Sequence, residues 1–276
     1  MILKDVLPSP HLQEHVRKHQ IIRFVFGANE AVPAKAYAPR PEHCLVFYLR
    51  ELQCVDYLDG SPLQMHHKCT LYGQHTLLQN RLIARDFWAL QVVLQPGALF
   101  RLTGIPAHEL TNTFIDAEAI WGQAIRYAHE QMCNTENLGE TIAIAERFLE
   151  KVVQQSKREL LGVDRASSLI LQQTQLVSVD WIARQAYLSV RQLQRQFAER
   201  MGISPKAFDR IARFEKAFKV KNAQPQKDWQ RIAFDLGYYD YQHLVRDFVA
   251  FTKMTPNGFL LADGKSPERE FGLVEV

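Results

Sequence analysis

The sequence predicts an α+β chain of two domains: a small β-barrel with a helical hairpin, then an all-α domain built on a double helix-turn-helix. Three observations carry this reading. Short β-branched and aromatic runs punctuated by turn signals fill residues 1–115, helical periodicity takes over from about Gly97, and one pattern occurs twice near the C-terminus. The first copy runs through Ile182-Ala183, Ala186, Ser189 and Leu193-Gln194-Arg195-Gln196-Phe197 to Ser204-Pro205. The second runs through Ile232-Ala233, Gly237, Asp240 and Leu244-Val245-Arg246-Asp247-Phe248 to Thr255-Pro256. A repeat that keeps its apolar spacing while its polar residues change is a duplicated structural unit.

Taken in order, the strand candidates are 21–26, 44–49, 68–73 and 86–94, each rich in Val, Ile, Phe, Tyr or Leu. Turn signals separate them at Gly27-Ala28-Asn29, Pro39-Arg40-Pro41, Asp59-Gly60-Ser61-Pro62 and Pro96-Gly97. No helix-length segment lies between these strands, so a small barrel or sandwich is expected rather than a parallel sheet. Helices are expected over 116–132 and 138–155, joined by Asn134-Thr135-Glu136-Asn137 into a hairpin. Ile142, Ala145, Phe148, Leu149 and Val152 form a stripe on the second of them, either a dimer seam or a face packed on the strands. The polar stretch 156–164 marks a boundary between an N-terminal domain, 1–160, and a C-terminal domain, 165–262.

In the second domain a first helix is expected over 165–174 and a scaffold helix over 179–185. Ser189 then caps a helix over 190–200 that Gly202 closes. Pro205 opens the longest helix, through Phe208, Ile211, Phe214 and Phe218, and the stretch around Pro225 breaks it. A second scaffold helix, 229–236, and a second reader, 241–251, capped by Asp240, complete the pattern.

Composition sets the class. With 47% hydrophobic and 23% charged residues, the chain of 276 residues has the make-up of a soluble globular protein. No apolar run approaches a membrane span, and the first ten residues lack a secretory apolar core. Cys44, Cys54, Cys69 and Cys133 show no paired spacing, so a reducing cytoplasm is the expected compartment and no cofactor is expected. Residues 165–262 carry 15 Lys and Arg against 8 Asp and Glu, a net +7 in a chain whose total is +3. Basic charge gathered on the duplicated part is what a polyanion-binding domain requires.

The readers specify which polyanion. On 190–200 the apolar positions Val190, Leu193, Phe197 and Ala198 form one stripe, leaving Arg191, Gln192, Gln194 and Arg195 on the other face. Arg matches the edge of guanine and Gln that of adenine in the major groove. The second reader offers Tyr241, Gln242, His243, Val245 and Arg246, but also Asp240 and Asp247, which phosphate repels unless they cap or pair internally. The first reader is therefore expected to supply more of the affinity.

These residues resemble the DNA-binding domain of AraC/XylS-type bacterial transcription regulators. The resemblance rests on Leu193-Gln194-Arg195-Gln196-Phe197 with Met201-Gly202-Ile203-Ser204-Pro205, and on Ile232 to Tyr238 with Leu244 to Phe248. It implies two recognition helices, joined by a long helix, entering successive major-groove segments of double-stranded DNA. The family's base-reading positions fall on Arg191, Gln194 and Arg195, and on Tyr241, Gln242, His243, Val245 and Arg246. Three departures stand out: Tyr187 and Lys253 occupy places where Gly is usual, and Val249-Ala250 replaces residues that are commonly basic. The N-terminal part, through Cys44 to Tyr48, Leu94 to Ala98 and Asp116 to Gly122, is similar to sensor-like domains of the group. That likeness implies a cupin-type barrel and a helical pair able to dimerise.

Two features of the first domain admit competing readings. Tyr37, Phe47, Tyr48, Tyr72 and Trp88 could line an effector pocket or fill a core. His66, His67, Cys69 and His75 lie close in sequence, but adjacent residues on a strand point to opposite faces and no carboxylate accompanies them. Ordinary surface or core histidines are the better reading, and no metal is expected. The expected partners are double-stranded DNA, RNA polymerase if the chain activates, a small-molecule effector and a second copy of the chain, with no membrane. The alternative is a DNA-modifying or repair enzyme, since this type of reader domain also occurs on methyl-transferring repair proteins. That reading wants a reactive cysteine in a Pro-Cys-His-type motif, and none is present.

Overall fold

The computed structural model describes residues 1–274. Its strands are β1 (Ile2–Val6), β2 (Val16–Val25), β3 (Lys35–Tyr37), β4 (Cys44–Tyr48), β5 (Cys54–Asp56), β6 (Gln64–Met65), β7 (Cys69–Tyr72), β8 (Gln79–Leu82), β9 (Asp86–Leu94) and β10 (Phe114–Asp116). They form two antiparallel sheets, ordered β1-β2-β9-β4-β7-β10 and β3-β8-β5-β6. The expected closed barrel gives way to an open pair of facing sheets. Strands of the smaller sheet are two to four residues long, too short to curl around and pair with the edges of the larger one.

Strand alternation divides the apolar residues between two cores. Leu45, Phe47, Trp88, Leu90 and Val92 face one side of the large sheet, and Cys44, Val46, Tyr48, Phe87 and Ala89 face the smaller sheet. Against the first side pack α1 (Ala98–Thr103), α2 (Glu118–Cys133) and α3 (Leu138–Gln155). The stripe on α3 thus lies on the sheet, with Phe148 edge-on to Phe47 at 6.2 Å between ring centroids. Asn137 caps α3 by accepting a hydrogen bond from the Glu140 N–H at 3.1 Å. Gly122, at φ 52° and ψ −132°, kinks α2 near its start.

The helical half contains α4 (Gly162–Gln172), α5 (Val179–Gln185), α6 (Val190–Met201), α7 (Pro205–Ala223), α8 (Trp229–Asp235), α9 (Tyr241–Thr252), α10 (Pro256–Asp263) and α11 (Pro267–Glu270). Its core is aromatic. Phe214 meets Phe248 at 4.7 Å, and Phe248 meets Trp229 at 5.2 Å. Among the described residues no helix is long and apolar enough to cross a membrane.

The two halves touch closely. Gly202 closes α6 at φ 82°, and its carbonyl accepts a hydrogen bond from Thr111 Oγ1 at 2.8 Å. A Cβ at that position would lie 2.9 Å from the Ala107 carbonyl oxygen, so only glycine serves both the left-handed turn and the contact. The Leu78 N–H donates to the Phe251 carbonyl at 2.9 Å, and buried His43 lies beside the backbone of Met201. After α10 the chain turns back: Glu268 pairs with Lys35, and the Phe271 ring lies 5.7 Å from Phe24 and 5.1 Å from Phe26.

Burial lowers the His43 pKa from 6.5 to about 4. The folded state then binds fewer protons than the unfolded chain below about pH 6.5, so stability that is complete above that pH drains as pH falls toward 4. Asp209, raised to about 6 chiefly by burial, acts in the opposite sense, so the informative comparison is between wild type and variant. His43→Asn should flatten the pH dependence of unfolding free energy by up to ~1.4 kcal/mol per pH unit between pH 6.5 and 4. Urea melts at several pH values read this directly, and parallel curves for the two proteins would refute it.

Candidate nucleic-acid interface

Each helix-turn-helix is held by local hydrogen bonds that its sequence specifies. Ser178 caps α5 by accepting from the Trp181 N–H at 3.1 Å. At the start of α6 the Ser189 hydroxyl accepts from the Gln192 N–H at 3.3 Å, and Gln192 Oε1 accepts from the Ser189 N–H at 3.0 Å. This reciprocal cap fixes where the reader begins. Leu193, Phe197 and Met201 are buried beneath it, while Arg191, Gln192, Gln194 and Arg195 are exposed together on the opposite face. Gln192 differs from its neighbours: the cap takes its carbonyl oxygen, so it can donate to a base or phosphate but cannot make the two-sided amide pairing with adenine.

The second unit follows the same plan with one extra residue in its turn. Tyr187 leads through Leu188 to the cap Ser189, whereas Gly237 leads through Tyr238 and Tyr239 to the cap Asp240. Asp240 accepts from the His243 N–H at 2.7 Å. Gln242, His243 and Arg246 are exposed on α9, and Tyr241 and Val245 are half-buried. Asp247 is buried, its Oδ1 accepting from Arg210 Nε at 2.9 Å and Nη2 at 2.6 Å. Both aspartates of this reader are therefore engaged internally, Asp240 as a cap and Asp247 in an ion pair with Arg210.

The two departures from glycine keep the left-handed backbone that glycine would supply. Tyr187 sits at φ 56° and Lys253 at φ 61°. Such a conformation strains any residue with a Cβ. Tyr187 is 95% exposed and Tyr239 is 90% exposed, so each turn presents an aromatic ring to solvent just before its reader helix. In the sequence Tyr187 stands out only as a departure from glycine in the turn, and Tyr239 carries no signal at all.

The five effector-pocket candidates separate. Tyr37, Tyr48 and Tyr72 lie between the sheets, where Tyr48 Oη is 2.6 Å from Tyr72 Oη and 2.9 Å from His66 Nδ1. Phe47 and Trp88 lie on the far side of the large sheet, because each is one residue from a neighbour that faces inward. There Arg23 and Arg50 cover the Trp88 ring at 4.4 and 5.1 Å. Of the clustered histidines, His66 is buried, with a pKa lowered to about 2 by burial, while His67 is exposed. No group of three or more His, Cys, Asp or Glu side chains suited to a metal ion occurs among the described residues. Burial pushes the thiols of Cys44, Cys69 and Cys133 upward, away from the reactive thiolate form.

Two substitutions test this local architecture. Ser189→Ala should cost about 1 kcal/mol of stability by uncapping α6. Lys253→Gly should raise stability by about 0.5–1 kcal/mol by relieving the left-handed strain at an exposed site. Denaturant midpoints at constant m-value check both, and a destabilised Lys253→Gly protein would contradict the second.

Comparison with known proteins bears on the same segments. Residues 182–261 match a family described as a helix-turn-helix domain, and residues 4–116 match one described as a domain of unknown function (DUF6597). No curated protein sequence matches the chain. Among solved structures the chain is similar to ToxT from Vibrio cholerae with an unsaturated fatty acid bound, at 10% identity and a TM-score of 0.49, over 94% of this chain and 97% of that one. It is also similar to the AraC-like transcriptional activator CuxR, at 15% identity and a TM-score of 0.31, over 78% of this chain and 79% of that one. Both capped readers fall inside the matched segment, so over residues 182–261 the chain carries a helix-turn-helix domain of AraC type.

Proposed function

We propose that the protein binds double-stranded DNA sequence-specifically by inserting α6 and α9 into successive major-groove segments, with α6 supplying most of the base recognition. The observation that carries this is the exposed face of α6, where Arg191, Gln194 and Arg195 make no hydrogen bond or ion pair with any described residue and stand above a buried apolar stripe. Arg191 and Arg195 suit guanine edges and Gln194 suits adenine, while Gln192 is a donor only. On α9, Gln242, His243 and Arg246 reach DNA more readily than half-buried Tyr241 and Val245, which suit apolar contact with a thymine methyl. The DNA-binding domain spans 165–262, and residues 1–160 form the sensing and dimerisation domain.

In this reading a small-molecule effector acts through the N-terminal domain, at the space that Tyr37, Tyr48 and Tyr72 share. A second copy of the chain and, for an activator, RNA polymerase are further partners. The raised thiols and the absence of a Pro-Cys-His-type motif favour a regulator over the DNA-modifying alternative.

Arg195→Ala should weaken binding to the selected site by about 1–3 kcal/mol and relax preference at one or two base pairs. Arg246→Ala should cost less and act evenly across sequences, lowering the salt slope by about one. Selection from a random duplex pool, followed by titration of each variant at several salt concentrations, reads both effects. Unchanged affinity and base preference for Arg195→Ala would remove α6 from the reading role.

A further inference from the structure

The smaller sheet holds a cation that pairs with no acidic side chain among the described residues. Arg81 lies on β8, where Gln79 and Arg81 turn inward between the sheets while Asn80 and Leu82 are half-exposed. It is 9% exposed, and its guanidinium lies 3.3 Å from the centroid of the Tyr37 ring and 5.2 Å from that of Tyr72. It makes no hydrogen bond or ion pair with any described residue, and its Nε is buried without a partner. Both amide atoms of neighbouring Gln79 are likewise unpartnered. A buried charge left in this condition is costly, which makes it a standing attraction for an anion.

The nearby carboxylates are engaged elsewhere. Glu42 accepts from Arg17 Nη2 at 2.8 Å and from Tyr37 Oη at 3.0 Å. Glu268 pairs through Oε1 with Lys35, the residue directly opposite Arg81 across the ladder, and its Oε2 is buried and unpartnered. Arg81 and Glu268 line one cavity of about 40 Å³, but no ion pair joins them. Its other walls are Ile22, Phe24, Val46 and Phe87, with polar atoms from Gln53 and Tyr48. At roughly 10–15 Å³ for each water, the space holds about three of them.

We propose that this cavity binds a small organic monocarboxylate, with Arg81 as its anchor and the C-terminal strap, residues 266–273, as its lid. The planar guanidinium fork matches a carboxylate with two parallel hydrogen bonds. The apolar walls take a short carbon body, and Glu268 disfavours a doubly charged anion. An acid of more than a few heavy atoms displaces Pro267 and Glu268, which close the cavity. The strap continues from α10, whose Phe259 is buried in the aromatic core beside Phe248, so displacing it is felt at the second reader. The proposal rests on the effector reading for its consequence at DNA, but not for binding itself.

The test uses the full chain, titrated by calorimetry and thermal shift with sodium acetate, pyruvate, lactate and butyrate at constant ionic strength. At least one acid should bind and raise the melting temperature. Arg81→Gln should weaken that acid at least tenfold, with folding checked by circular dichroism, and Glu268→Gln should tighten it several-fold. If Arg81→Gln fails to fold, Arg81→Lys decides: it keeps the charge without the fork and should weaken binding about fivefold. Three results would overturn the site: no acid binding to wild type or Glu268→Gln, affinity unchanged by the Arg81 substitution, or inorganic phosphate binding more tightly than every acid. Acid binding that leaves DNA affinity unmoved upholds the site and counts against effector control instead.

Discussion

The buried pair of Asp164 and Arg200 is the joint on which the arrangement of the readers depends. Asp164 Oδ2 accepts from the Leu161 N–H at 2.9 Å, starting α4, and from Arg200 at the end of α6. The Arg200 guanidinium in turn lies 5.1 Å from the ring of Phe100 on α1. One ion pair therefore ties the first helix of the DNA-binding half to the first reader and presses both against the N-terminal half. The approach is close: a Cβ on Gly97 would lie 1.9 Å from Asp164 Oδ1. Removing one partner of such a pair leaves a buried charge uncompensated, at a cost of about 3–5 kcal/mol. Burial raises the Asp164 pKa against the opposing pull of the Leu161 N–H and Arg200.

From that joint follows the difference between the two readers. The first is anchored at its C-terminal end by Arg200 and Gly202, and its N-terminal end carries the exposed Arg and Gln face. The second is anchored along its length by Asp247 and Arg210, which removes one acidic group from the DNA side but leaves Arg246 as the one basic residue in the 241–251 helix. Duplication supplied the same apolar skeleton twice. What each copy can grip is set by which polar residues are drawn inward.

Much of the helical half was legible in the sequence because caps and stripes are local. Ser189, Gly202, Pro205 and Asp240 mark ends that the structure reproduces within a residue or two. The strands over 44–48 and 86–94 were readable for the same reason, being long apolar runs. The short strands β3, β5, β6, β8 and β10 were not, since two to four residues carry too little alternation to stand out. The aromatic candidates divided because only pairing register decides which face a strand residue takes, so Tyr48 faces the cavity and Phe47 the helices. Arg81 escaped notice because its setting is a tertiary fact: the sequence shows an arginine, and only the fold shows that no acidic group among the described residues pairs with it. The strap lay beyond the repeat, and its return to Phe24 is likewise a long-range contact.

The central claim is that two unequal readers occupy successive major-groove segments on one face of the duplex. Methylation protection at guanine N7, a major-groove atom, on a selected site tests it most directly. The account predicts two protected clusters about one helical turn, roughly 10 base pairs, apart, with the stronger cluster disappearing in the Arg195→Ala protein. A single cluster, or protection that survives that substitution unchanged, would contradict it.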